Sequence, residues 1–134
     1  MAAPPRRILV IEDDKDTRDV MAAALEVEGY LVIATADAFG NVKKLAPDLV
    51  ILDLFLRGGA HGWEQLDVLT LDPATRHIPV ILCTAALASL EAHRAKLLAM
   101  DVHVLEKPFD VGSLEAIVSM ALAAAPRRPE PFAG

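Results

Sequence analysis

The chain has little of what would tie it to several common functions. A single cysteine among 134 residues excludes an internal disulfide, and Cys83 cannot hold zinc alone. Its setting, Val80-Ile81-Leu82-Cys83, marks it as a small buried hydrophobe. Aromatics are only 4% of the chain, so Val, Ile, Leu and Ala must build the core. No apolar run approaches the ~18–20 residues of a membrane helix. Basic residues are outnumbered, 13 Lys and Arg against 19 Asp and Glu, for a net charge of −6. The basic pairs Arg6-Arg7, Lys43-Lys44 and Arg127-Arg128 are scattered, whereas phosphate-backbone binding needs clustered cations. No direct nucleic-acid partner and no membrane partner are therefore expected. G-x-G-x-x-G is missing and Gly58-Gly59 lacks the pattern around a phosphate loop, which weighs against dinucleotide binding. Met1 to Arg7 runs straight into an apolar stretch and then Glu12-Asp13-Asp14, unlike a signal peptide, so a cytoplasmic location is expected.

What is present is a regular alternation. Five short, continuous apolar runs occupy residues 8–11, 30–34, 49–52, 80–83 and 102–105. Continuous rather than alternating apolarity fits strands buried on both faces of a parallel sheet. Helical spacing lies between them, at 17–28, 64–71, 90–100 and 111–124. The first of these sets Val20, Ala24 and Val27 on one face, with Gly29 placed to cap its end. Asp72-Pro73 should stop the second. Five strand runs alternating with helical segments imply an α/β fold, a doubly wound parallel sheet with helices on both faces. Residues 1–125 are expected to form one domain, and 126–134 a short Pro-rich, disordered tail with no output domain after it.

In such a sheet, ligands bind beyond the carboxyl ends of the strands. Strand one ends in Glu12-Asp13-Asp14, strand three in Asp53, strand four in Thr84 and strand five in Lys107-Pro108. Crowded carboxylates repel unless a cation joins them, and hard oxygen donors suit Mg²⁺. An aspartate can attack phosphorus, and the transfer depends on positioning and charge neutralisation. Each residue alone has a plainer reading: the acidic run caps a helix, Asp53 is a turn residue, Thr84 a cap and Lys107 a solvated charge. Their arrival at one edge favours the joint reading. His61, His77, His93 and His103 share no ligand spacing and read as surface or loop residues, while Trp63 and Phe109 read as packing anchors.

The stretches Ile8-Leu9-Val10-Ile11-Glu12-Asp13-Asp14, Leu49-Val50-Ile51-Leu52-Asp53-Leu54, Pro79-Val80-Ile81-Leu82-Cys83-Thr84-Ala85 and Glu106-Lys107-Pro108-Phe109 resemble bacterial response-regulator receiver domains over roughly residues 7–124. The resemblance implies a flavodoxin-like five-stranded sheet of order 2-1-3-4-5. It implies that Asp53 is phosphorylated by a sensor histidine kinase or phosphotransfer protein. Asp13, Asp53 and the Phe55 carbonyl would bind Mg²⁺, with Glu12 acting through water. Thr84 and Lys107 would contact the phosphoryl group, and the peptide bond before Pro108 would be cis. An unidentified downstream protein would meet the fourth helix (90–100), fifth strand and fifth helix (111–124). Three positions depart from the family pattern. The loop 55–62 is longer and lacks Pro-Gly, Met100-Asp101 stands where a glycine is common, and Val104 occupies the aromatic switch position.

Two alternatives remain open on sequence. An interaction module of this fold could work without phosphorylation. An aspartate-nucleophile phosphatase would place its nucleophile after strand one as Asp-x-Asp-x-Thr/Val, but Asp14-Lys15-Asp16-Thr17-Arg18 breaks that pattern at the last position.

Overall fold

Five parallel strands form a single sheet, and the order of burial across it explains why the chain closes as it does. The computed structural model describes residues 4–36, 42–54, 61–85, 87–100 and 102–124. The strands are β1 (Arg7–Ile11), β2 (Leu31–Thr35), β3 (Leu49–Asp53), β4 (Val80–Thr84) and β5 (His103–Glu106). The helices are α1 (Lys15–Val27), α2 (Val42–Leu45), α3 (His61–Leu71), α4 (Leu87–Ala92), α5 (Arg94–Met100) and α6 (Val111–Ala124). The sheet order is β2-β1-β3-β4-β5, with every pairing parallel. This is the doubly wound order 2-1-3-4-5.

Alternate residues of each central strand feed two separate cores. Ile8, Val10, Leu49, Ile51, Ile81 and Cys83 pack with Met21 and Leu25 of α1 and with Leu114 and Val118 of α6. Leu9, Ile11, Val50, Leu52 and Leu82 pack on the other face with Val42 of α2, Leu66 and Leu69 of α3, and Leu97 of α5. Each fully buried aliphatic side chain contributes about 1.5–3 kcal/mol of transfer free energy, so the central strands anchor the fold. β3 and β4 are buried throughout. β2 and β5 are the sheet edges and are only partly covered, so burial on both faces holds for the central strands and not for the outer two.

Two helices differ from the sequence expectation. On α1 the buried residues are Met21 and Leu25, whereas Val20 is 59% and Val27 84% exposed. The core stripe lies one residue round from the valines, because Met and Leu bury more apolar surface there, and Ala24 borders it. The expected helix 90–100 is two helices, α4 and α5, separated at His93. The His93 N–H donates to the Leu90 carbonyl three residues back (3.1 Å), a tight turn that interrupts the α-helical ladder. Helix ends follow the expected signals. Asp14 caps α1 by accepting from the Thr17 N–H (2.9 Å), and Gly29 takes φ +94° just past its end. The tail 126–134 lies outside the described residues.

Candidate functional site

Register brings the acidic residues level. Ile11 pairs with Leu52 across β1 and β3, so the next residues, Glu12 and Asp53, stand side by side at the carboxyl edge. Both continue the alternation that faces α1 and α6. The Glu12 N–H donates to the Thr35 carbonyl at the end of β2 (3.0 Å), and the Arg18 guanidinium donates to the Glu12 carbonyl oxygen (2.8 Å). Arg18 was not singled out from the sequence. A basic residue one turn beyond an acidic strand end is the signal that could have found it.

Carboxylate oxygens of Glu12, Asp13 and Asp53 all lie within 4.8 Å of one another. Glu12 is 2% exposed and Asp53 6%, so water does little to screen them. Lys107 reaches this cluster from beyond β5, with Nζ 2.9 Å from Glu12 Oε1 and 3.5 Å from Asp53 Oδ2. Its N–H donates to the Thr84 carbonyl (2.9 Å), fixing it against the end of β4, and the Lys107-Pro108 bond is cis. Thr84 is 1% exposed at that strand end. Asp14, by contrast, serves the helix cap, and hydrogen bonds from Thr17 hold its carboxyl below the usual range.

The electrostatics show what the cluster needs. Burial pushes the Glu12 carboxyl up to about 7, assisted by its hydrogen bond with Asp53 and opposed by Lys107. Burial alone would lower the Lys107 ammonium, but its bond to Glu12 and the charge of Asp53 raise it overall. Three crowded carboxyl groups against one ammonium leave an excess of hard oxygen donors, a set that suits a divalent cation such as Mg²⁺. Cys83, in register with Asp53, is buried among apolar groups that push its thiol up to about 12. It packs and does not react.

The family model of the response regulator receiver domain matches residues 8–119. The chain belongs to the response regulator receiver domain family. This receiver domain is 33% identical over 131 residues to the phosphate regulon transcriptional regulatory protein PhoB of Escherichia coli (strain K12), covering 96% of this chain and 55% of that protein. It thus spans about half the length of that curated relative. Among solved structures it resembles a CheY-like response regulator receiver domain protein from Methanospirillum hungatei JF-1, with TM-score 0.77 and 25% identity over 89% of this chain and 94% of that one. It also resembles the receiver domain of a sensor histidine kinase from Pseudomonas aeruginosa PAO1, described with magnesium in its active-site cleft. There the TM-score is 0.74 with 25% identity, over 90% and 99% of the two chains. Receiver domains are signalling modules of two-component systems rather than classical enzymes.

Several sequence candidates fall elsewhere. Phe55, the expected carbonyl ligand, lies outside the described residues, as does most of the loop 55–62. Val104 is half-buried in β5 against the α3 and α5 face of the core. His93 is not a plain surface residue: its ring stacks on Trp63 with centroids 4.0 Å apart. His77 is exposed and His103 half-buried in β5, both remote in register from the acidic edge. No helix among the described residues is long and apolar enough to cross a membrane.

Proposed function

We propose that Asp53 accepts a phosphoryl group from a histidine of a sensor kinase or phosphotransfer protein, and that the domain then signals through altered protein contacts. The observation that carries this reading is the Asp53 carboxylate at a strand end, with Glu12 and Asp13 within 4.8 Å and the Lys107 ammonium at 3.5 Å. A carboxylate oxygen of Asp53 attacks phosphorus, forming an O–P bond as the P–N bond to the donor imidazole breaks. The imidazole keeps the electron pair and takes a proton from solvent. Lys107 is already drawn to this edge by Glu12 and supplies a point charge to one phosphoryl oxygen. The buried Thr84 hydroxyl supplies a donor to another. Asp13, Asp53 and the Phe55 carbonyl are the residues assigned to hold Mg²⁺, with Glu12 acting through water. When bound, the ion neutralises carboxylate and phosphoryl charge.

A shallow cleft of about 560 Å³ runs beside the site between the start of α1 and residues Lys107, Pro108 and Phe109. Val20 lines it, which gives its exposure a role in seating the phosphodonor. The domain is assigned to residues 1–125, and the cell compartment to the cytoplasm. Output is assigned to the surface of α4, α5, β5 and α6. Incubation with acetyl phosphate and Mg²⁺ should add the mass of one phosphoryl group to the intact chain, and Asp53→Asn should abolish the gain. Full gain in that variant would sink the assignment.

A further inference from the structure

Glu12 has two separate attachments at the end of β1. Its carboxyl meets Lys107, while its main-chain carbonyl is held by Arg18 of α1, whose Nη1 donates across 2.8 Å. β2 pairs with β1 only as far as Thr35, opposite Ile11, so the Glu12 carbonyl lies past the last paired rung. The guanidinium stands in for the strand donor that would come next in the ladder. Arg18 is half-buried, and its own N–H donates to the Asp14 carbonyl (2.9 Å). One residue therefore grips the β1–α1 turn on both sides of Asp13. Each grip is backed by a second bond: the Glu12 N–H donates to the Thr35 carbonyl (3.0 Å), and the Asp14 carboxylate accepts from the Thr17 N–H (2.9 Å). Asp13 hangs between two fixed points.

We propose that Arg18 is a positioning residue for the divalent cation, a role that rests on the metal-assisted reading of this edge. By clamping the Glu12 carbonyl, it sets the direction in which Asp13 presents its carboxylate beside Glu12 and Asp53. Its bond here is to a carbonyl rather than a carboxylate, so it leaves the acidic oxygens to the cation. Groups that orient a metal ligand without touching the metal typically cost about tenfold or more in affinity when removed. The sign of the effect separates this role from a plain charge effect. A bystander cation beside carboxylates repels Mg²⁺, so removing it would tighten binding. Removing a clamp loosens Asp13 and weakens binding.

The test is a Mg²⁺ titration of the full chain followed by amide NMR at residues 12–14 and 53, with stability read by urea denaturation. The natural chain should show saturable shifts at those residues. Arg18→Met, which keeps an aliphatic stem and removes the donors, should raise the Mg²⁺ dissociation constant about tenfold. Arg18→Lys, which keeps a cation able to donate to the carbonyl, should fall between the two. Ala23→Gly weakens the same helix at an exposed position away from the turn, and should leave Mg²⁺ affinity unchanged. Equal or tighter binding by Arg18→Met would overturn the clamp while leaving the metal site standing, and so would an equal loss of affinity in Ala23→Gly. Absence of any saturable shift at Asp13 and Asp53 in the natural chain would instead sink the metal-assisted reading, and the clamp with it.

Discussion

Glu12→Gln should stabilise the metal-free domain at neutral pH while weakening its response to Mg²⁺. The structure sets the scale. Glu12 is almost completely buried beside Asp53, and its carboxyl is pushed from 4.5 up to about 7. In the unfolded chain the group titrates near its ordinary value, so between these limits the folded state holds more protons. Stability therefore falls as pH rises through that window, and the loss is complete above about pH 7. At about 1.36 kcal/mol per unit, the full cost of ionising buried Glu12 is bounded by about 3 kcal/mol. That cost is already net of the attraction to Lys107, 2.9 Å away, so the variant escapes it and the gain above neutrality should be about 3 kcal/mol at most. Urea denaturation with a chelator present, from about pH 4 to about pH 8, is the assay. The two proteins should be nearly equal at the acid end, where Glu12 is neutral, and diverge as pH rises. Added Mg²⁺ should restore stability to the natural chain more than to the variant. Parallel curves across the whole range would refute the reasoning, because a charge that costs nothing to bury cannot call for a cation.

Leu52→Ala, which empties a fully buried position next to Asp53 in β3, should cost about 2–5 kcal/mol in urea denaturation; a loss well under that range would mean the core relaxes around it. Cys83 should resist thiol reagents at about pH 8 in the folded protein and react fully on unfolding, since burial pushes its thiol to about 12; rapid native labelling would show an open strand end. A phosphoryl mimic at Asp53 should change hydrogen exchange over residues 85–100 as well as 55–62; changes confined to 55–62 would defeat the output surface assigned here.

The sheet was legible because its central strands carry unbroken aliphatic runs of strand length, a pattern that burial on both faces requires. The same pattern does not distinguish edge from centre, since Leu31, Val32 and Ile33 read like the buried strands yet β2 is the outermost strand on its side. α2 escaped notice because four residues cannot express a helical period. On α1, alanines at 22–24 blur the edge between adjacent stripes, and the sheet shows that Met21 and Leu25 face it. The acidic end of β1 was visible as a run, but the Lys107–Glu12 pair joins residues 95 positions apart, a distance only the fold can close. Gln65 was invisible altogether, because a glutamine inside an amphipathic helix reads as solvated surface until the packing shows it buried.

Val104 constrains how a change at Asp53 can travel. It sits opposite Leu82 in the β4–β5 register and packs into the core face that holds Leu97. A β-branched side chain stiff about χ1 has no ring to move between exposed and buried sites. Differential contacts must then arise elsewhere, because a ligand shifts a conformational equilibrium only through interactions that differ between the two states. Two connections leave the site. Lys107 donates its backbone N–H to the Thr84 carbonyl, so under the proposed phosphorylation a shift of its ammonium from Glu12 toward a phosphoryl oxygen would act on the end of β4. On the other side, α3 is tied to the α4–α5 break by the Trp63–His93 stack and to α5 by the Lys96–Asp67 ion pair at 2.8 Å. Both connections end on α4 and α5, and the helix break at His93 gives that surface a joint that a continuous helix 90–100 would lack. If that face carries the proposed output, the path to it would run through the turn at His93 rather than through a moving ring.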